Sequence, residues 1–133
     1  MTGFQSRVLR EDGKASLRAS DGIMLRRYLP PWIHEKRPDW QLFRDGCPNG
    51  ESPGQVGARA DRTVSRLREI EGDVLIFSSG HFLRVLAGRW LGLEPAAGRF
   101  FMLKTASLSA LGYENNLSQP VIQFWDDTRH VID

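Results

Sequence analysis

Apolar residues recur at helical spacing in one segment near the middle of the chain. Its apolar positions, three or four residues apart, are Val56, Ala60, Val64, Leu67 and Ile70. This spacing is typical of an amphipathic helix with one buried face. Ser52 precedes the segment, and Gln55 stands three residues after it, so the two make a capping box. Pro53, directly after Ser52, is at the first helical position, where proline is favoured. The pattern predicts a helix of about four turns that ends near Gly72.

The next segment combines a short apolar run with a longer one. Residues 74–77 (VLIF) are apolar without interruption, which is typical of a strand buried on both faces. Residues 82–91 are apolar almost all round, so they predict a mostly buried helix that ends near Gly92 and Pro95. The sharp turn at residues 78–81 (SSGH) joins the two elements.

The last third of the chain predicts a pair of strands. Residues 105–113 and 120–125 have strand character, and residues 114–116 form the turn between them. The order helix, strand, helix, strand, strand favours an α/β fold with a layered sheet. Three aromatic residues are interpreted as core residues rather than as a platform for a ligand: Trp90, Phe100 and Phe101.

The first 32 residues differ from the rest in their charge and in the pattern of their apolar positions. They carry six basic residues and three acidic ones, with scattered apolar positions. We expect residues 1–32 to form an atypical, poorly ordered or loosely docked basic arm. Residues 33–133 are expected to form the α/β domain. It opens with a short helix at 33–43, which Pro38 breaks, and a loop at 44–50.

Composition excludes several classes of function. The chain has 133 residues, 41% hydrophobic and 26% charged, as expected for one globular domain. It has no run of 18 apolar residues, so no membrane span is expected. The absence of a signal-like apolar segment near Met1 and the single cysteine favour a cytoplasmic location. The net charge of +2 does not indicate a nucleic-acid partner. A solvated basic helix face is expected at Arg59, Arg62, Arg66 and Arg68.

The turn at residues 78–81 is the strongest candidate site. Ligands of open α/β sheets bind beyond the carboxyl ends of strands, and the start of a helix attracts phosphate through its free N–H groups and dipole. Gly80 lets the backbone approach a ligand, and His81 can donate a hydrogen bond to a phosphoryl oxygen. The alternative is that His81 only caps its helix. Glu51 is either an accessory acid at the rim of this candidate site or a carboxylate that stabilises the start of its own helix.

Other chemistries receive little support. His34, His130 and Cys47 are weak candidates for a nucleophile. The histidines show no metal-ligand spacing, so neither a metal nor a cofactor is expected. The glycines form neither a dinucleotide-binding motif nor a phosphate-binding loop.

Several motifs together resemble one known family. Gly50-Glu51-Ser52 opens the first predicted helix, VLIFSSGH at residues 74–81 leads into the second, and TASLS follows at residues 105–109. This set resembles the histidine phosphatase superfamily, the phosphoglycerate-mutase-like phosphatases. The resemblance covers roughly residues 33–133, about the C-terminal half of a usual member. It implies a three-layer α/β/α sheet of the phosphoglycerate-mutase-like type, truncated at the N-terminus.

The resemblance also implies a reaction. Family members hydrolyse or transfer phosphomonoesters through a phosphohistidine, whose nucleophile belongs to an Arg-His-Gly motif. A second histidine, which His81 matches, binds the phosphoryl group in the transition state. The chain has no Arg-His-Gly, and its three histidines are His34, His81 and His130. The family's second phosphate-binding arginine and its general acid have no counterpart either. We therefore expect this chain alone to be inactive.

Two alternatives stay open at this stage. One is an active phosphatase, either with a substitute nucleophile or completed by another chain. The other is a non-catalytic module that binds phosphate or serves as a scaffold. In each, the expected partner is phosphate or a phosphorylated small molecule. A sheet without the family's early strands has an exposed edge, which predicts a homodimer through that edge.

Overall fold

A computed structural model describes residues 7–10, 37–46 and 50–131, the first of these ranges in backbone only. Its elements are β1 (Arg7–Arg10), α1 (Leu42–Asp45), α2 (Pro53–Arg68), β2 (Val74–Phe77), α3 (Gly80–Trp90), a 3-10 helix (Pro95–Phe100), β3 (Leu108–Tyr113) and β4 (Pro120–Asp127). The fold class is α/β, as the sequence predicts. Most of the expected arm lies outside the described residues, and so do His34 and Cys47.

Helix α2 begins with the predicted capping box. The Ser52 hydroxyl accepts a hydrogen bond from the Gln55 backbone N–H at 3.2 Å, and the Gln55 side chain accepts one from the Ser52 N–H at 2.8 Å. Two orphan donors of the first turn are satisfied in this way. The helix ends at Arg68, and Gly72, with φ of 90°, turns the chain toward β2.

The core lies between α2 and α3. Its buried members are Ala60, Val64, Phe82, Val85, Leu86 and Trp90. The indole N–H of Trp90 donates to the Gly112 carbonyl at 3.1 Å, which ties α3 to β3. Gly57 allows α2 to approach the 3-10 helix, because a Cβ built there would lie 2.4 Å from the Pro95 ring. The predicted mostly buried helix after residue 80 is confirmed.

The predicted burial of β2 on both faces is wrong. Leu75 is 40% exposed and Phe77 is 62% exposed, whereas Val74 and Ile76 are half-buried. Ile76 packs against the core between the helices. Within the described part of the chain, side chains cover only that face of the strand, and the alternating pattern follows from the pleat.

The described strands form two pairs. Strand β1 runs parallel to β2, with Arg7 opposite Val74 and Arg10 opposite Phe77. The sequence did not predict β1, because its residues fall in the segment interpreted as an arm. Strands β3 and β4 form the predicted antiparallel hairpin, with a register irregularity between Leu108 and Leu111.

Helix α1 and the 3-10 helix depart from the predictions. The predicted loop at 44–50 starts later, because the Asp45 carboxylate accepts the Gln41 N–H at 2.8 Å and extends the helical turn to Asp45. The interpretation of Phe100 as a core residue is wrong, since its side chain is 71% exposed at the end of the 3-10 helix. Trp90 is a core residue, as predicted. None of the helices in the described ranges is long and apolar enough to cross a bilayer.

Candidate phosphoryl-binding site

His81 is the second residue of α3 and lies four residues beyond the carboxyl end of β2 at Phe77. The helix begins at Gly80, and Ser79 is its cap in extended conformation. The Ser79 side chain makes no capping hydrogen bond to the first turn. Gly80 is exposed, and no atom of the described residues outside its own helix and chain neighbours lies within 4 Å of the place a Cβ would occupy. The strand, turn and helix therefore have the predicted arrangement.

The imidazole of His81 lies against an aromatic ring from α1. The ring centroids of Phe43 and His81 are 5.7 Å apart, with an interplanar angle of 50°. His81 is half-buried. The imidazole therefore does not turn into the interior away from the strand end, and it is flanked by an apolar surface that limits its freedom.

Arg84 holds the same aromatic ring in place. Its guanidinium carbon lies 4.4 Å from the centroid of the Phe43 ring. The guanidinium also donates hydrogen bonds to the carbonyl oxygens of Gly98 at 3.0 Å and Arg99 at 2.9 Å. Arg84 thus joins α3, α1 and the 3-10 helix. One sign of this role is visible in the sequence, since residues three apart on a helix, as His81 and Arg84 are, lie on one side of it.

Glu51 is held in an ion pair at the start of α2. Its carboxylate lies 3.3 Å from Nε of Arg59, and both side chains are 22% exposed. The guanidinium of Arg59 also lies 4.5 Å from the ring of Phe82, the residue after His81. Arg59 is therefore half-buried, unlike the solvated arginine that the helix pattern predicts. The proposed accessory role of Glu51 stays a prediction.

An open groove adjoins this cluster. Its volume is about 540 Å³, and its lining residues are Trp40, Gln41, Leu42, Phe43, Arg99 and Phe100. Phe43 belongs both to the groove and to the contact with His81. The sequence did not predict this groove, because the segments that line it are far apart in the chain.

One titratable group beside the groove is strongly perturbed. The guanidinium of Arg44 hydrogen-bonds to Asp45 and lowers the pKa of that carboxyl to about 2, with a further contribution from the Gln41 N–H. Asp45 therefore remains ionised at neutral pH, and its charge is paired with Arg44 at 2.7 Å.

The remaining sequence candidates are not brought to this cluster in the described residues. His130 is exposed in a turn after β4. His34 and Cys47 lie outside the described residues. Among residues 37–46 and 50–131, no group of three His, Cys, Asp or Glu side chains could hold a metal ion.

Comparison with known proteins finds similar phosphatases. The chain is 43% identical over 91 residues to an acid phosphatase of Mycobacterium tuberculosis, covering 67% of this chain and 45% of that protein. It is 39% identical over 70 residues to the sedoheptulose 1,7-bisphosphatase of Saccharomyces cerevisiae, covering 46% of this chain and 26% of that protein. The chain thus spans less than half the length of these relatives.

Solved structures share the fold. A functionally characterised open reading frame product of Mycobacterium tuberculosis superposes with a TM-score of 0.68 at 39% identity, over 72% of this chain and 50% of the other. A mutant phosphoserine phosphatase from Entamoeba histolytica, solved with phosphoserine, gives a TM-score of 0.54 at 19% identity over 68% of this chain and 47% of the other. The latter shows a shared fold only. The sequence profile of branch 1 of the histidine phosphatase superfamily matches residues 24–128, so the chain belongs to that superfamily.

Proposed function

We propose that this chain binds the phosphoryl group of phosphomonoesters at the start of α3. His81 carries the proposal, because it stands in the first turn of an 11-residue helix at the carboxyl end of a strand. Backbone N–H groups and the positive end of the helix dipole favour an anion at this place. The activities of the two phosphatase relatives support the same ligand class.

The side chains around His81 have defined roles in this proposal. The imidazole donates a hydrogen bond to a phosphoryl oxygen, and its protonated form binds a dianion more strongly. Gly80 keeps the approach to the helix start open. Phe43 and Arg84 act as positioning residues, because Phe43 contacts the imidazole and Arg84 contacts Phe43 and holds the surrounding elements together. Glu51, oriented by Arg59, is the accessory acid of the site.

We also propose that these 133 residues alone do not turn over phosphomonoesters. The family reaction needs a histidine nucleophile in an Arg-His-Gly motif, and no such tripeptide occurs in the sequence. Loss of the nucleophile removes the covalent route, which costs about six orders of magnitude in well-studied cases of covalent catalysis. In this proposal these 133 residues alone form a cytoplasmic pseudoenzyme of their family.

An assay of phosphate release from 4-nitrophenyl phosphate tests the absence of turnover. We expect no rate above the uncatalysed background for the unaltered chain, for His81→Ala or for the control His130→Ala. A rate that disappears in His81→Ala and survives in His130→Ala would refute it and establish an active enzyme. The same assay detects any substitute nucleophile.

A second candidate function is a phosphatase completed by another chain. The exposed apolar face of β2, with Leu75 and Phe77, supports it, because such faces recruit partners. The candidate occupant is a separate polypeptide that supplies an Arg-His-Gly histidine, because a second copy of this chain would lack that motif too. Phosphate release by this chain mixed with such a polypeptide, lost when the chain carries Phe77→Lys, favours this candidate. Absence of phosphate release from the mixture rejects it.

A further inference from the structure

We propose that the open groove beside Phe43 binds the aromatic group of a phosphomonoester whose phosphoryl group lies at His81. This inference rests on the proposed function, since it adds a binding site for the organic part of the same ligand. The groove has a volume of about 540 Å³ and is open to solvent.

The groove and the phosphoryl site share a wall. The ring of Phe43 lines the groove and also lies 5.7 Å from the imidazole of His81. Two other contacts hold the Phe43 ring in place. It packs against Gly98, where an added Cβ would lie 3.0 Å from the ring, and the Arg84 guanidinium lies 4.4 Å from its centroid. A ligand that reaches from His81 past one aromatic ring therefore enters the groove.

The lining selects an aromatic group. Three of its six residues are aromatic, namely Trp40, Phe43 and Phe100, and a fourth is Leu42. Phe100 is 71% exposed, so a ring placed against it removes apolar surface from water. Ring–ring contacts add roughly 0.5–1.5 kcal/mol beyond that burial. Among the described lining residues, the side chains that carry hydrogen-bonding groups are those of Trp40, Gln41 and Arg99.

The charge of the groove matches an ester that carries phosphate. Arg99 is the charged residue among the lining residues, and its guanidinium lies 4.5 Å from the Phe100 centroid. Near the groove, Arg44 is paired with the carboxylates of Asp45 at 2.7 Å and of Asp39 at 3.7 Å. The charge that the described lining itself contributes, that of Arg99, is positive. A guanidinium stacked on an aromatic ring accepts a further aromatic ring on its surface and attracts a neighbouring dianion.

Binding of three probes to the complete chain tests the inference: inorganic phosphate, methyl phosphate and phenyl phosphate, each followed by isothermal titration calorimetry. We expect phenyl phosphate to bind about tenfold more tightly than methyl phosphate, which corresponds to about 1.4 kcal/mol. Phe100→Ala should reduce that ratio to below about twofold. The control Leu117→Ala removes a side chain that is 74% exposed in the distant β3–β4 turn, and it should leave the ratio unchanged.

The possible outcomes separate the two proposals. Equal affinities for methyl and phenyl phosphate would overturn the proposal that the groove binds the aromatic group. The proposed phosphoryl site would stand. Absence of binding for all three probes would overturn the proposed function and the groove inference with it. Nuclear Overhauser effects between the phenyl protons and the Trp40 indole give a direct readout. Effects confined to residues outside the groove would also overturn the inference.

Discussion

The imidazole of His81 and the ring of Phe43 lie 5.7 Å apart, although they come from opposite sides of helix α2 in the sequence. This contact joins the short helix α1 to the first turn of α3. It places the histidine between a helix start, which favours anions, and an aromatic wall, which continues into the groove. The site is therefore assembled from segments that no local pattern connects.

Arg84→Lys should destabilise the fold. A lysine cannot reproduce the two hydrogen bonds to the carbonyls of Gly98 and Arg99, nor the stacking on Phe43. We expect the free energy of unfolding to fall by about 1–3 kcal/mol, measured by urea denaturation. Arg62→Lys, on the exposed side of α2, is the matched control and should change it by less than about 0.5 kcal/mol. Equal effects of the two changes would show that the contacts of Arg84 with Gly98, Arg99 and Phe43 do not stabilise the fold.

Two glycines of the same helix should respond in opposite directions to alanine. At Gly57 the new Cβ would lie 2.4 Å from the rigid Pro95 ring. We expect Gly57→Ala to lower the stability by about 1–3 kcal/mol through overpacking. At Gly54 the nearest atom is the Ser52 hydroxyl oxygen at 3.9 Å. Gly54→Ala should therefore raise the stability by up to about 1 kcal/mol through helix propensity.

Urea denaturation of both glycine variants provides the comparison. If Gly57→Ala were as stable as Gly54→Ala, the close packing of α2 against the 3-10 helix would be wrong. A loss of stability in both variants would instead contradict the open surroundings of Gly54.

Arg44 should control the titration of Asp45. Its hydrogen bond holds the pKa of that carboxyl at about 2, below the usual 3.8. A depressed folded-state pKa stabilises the fold above the unfolded value, and this contribution disappears as the pH falls from 3.8 through 2. In Arg44→Gln we expect the pKa of Asp45 to rise toward 3.8 but stay below it, since the Gln41 N–H still donates.

The carboxyl carbon shift of Asp45, followed by NMR between pH 1 and pH 6, measures this change. Arg37→Gln is the control, and it should move the pKa less, because Arg37 acts on Asp45 only through a weaker charge interaction. A titration of Asp45 that is identical in the unaltered chain and in Arg44→Gln would refute the pairing.

Local patterns predicted the elements whose causes are local. The capping box of Ser52 and Gln55 gave the start of α2, and the strand–turn–helix pattern gave the position of His81. The exposure of Phe77 and Phe100 was not predictable in this way, because it depends on which distant elements cover each side chain. The hydrophobicity of a side chain indicates how much apolar surface it can bury. It does not indicate whether another element of the fold covers that side chain.

The groove was missed for the same reason. Trp40 and Phe43 come before α2, whereas Arg99 and Phe100 come after α3. Their meeting follows from Arg84, whose hydrogen bonds fix the 3-10 helix beside α1. Arg84, one of two arginines on the mostly buried helix α3, was a sign of such a link in the sequence, and its partners could not be named from it.

The most direct test of the central claim is a phosphate titration of the unaltered chain, with the imidazole nitrogens observed by NMR. We predict that the nitrogen resonances of His81 shift in a saturable way at millimolar phosphate, whereas those of His130, exposed after β4, do not. Absence of any His81 shift, or equal shifts at His81 and His130, would contradict a phosphoryl-binding site at the start of α3.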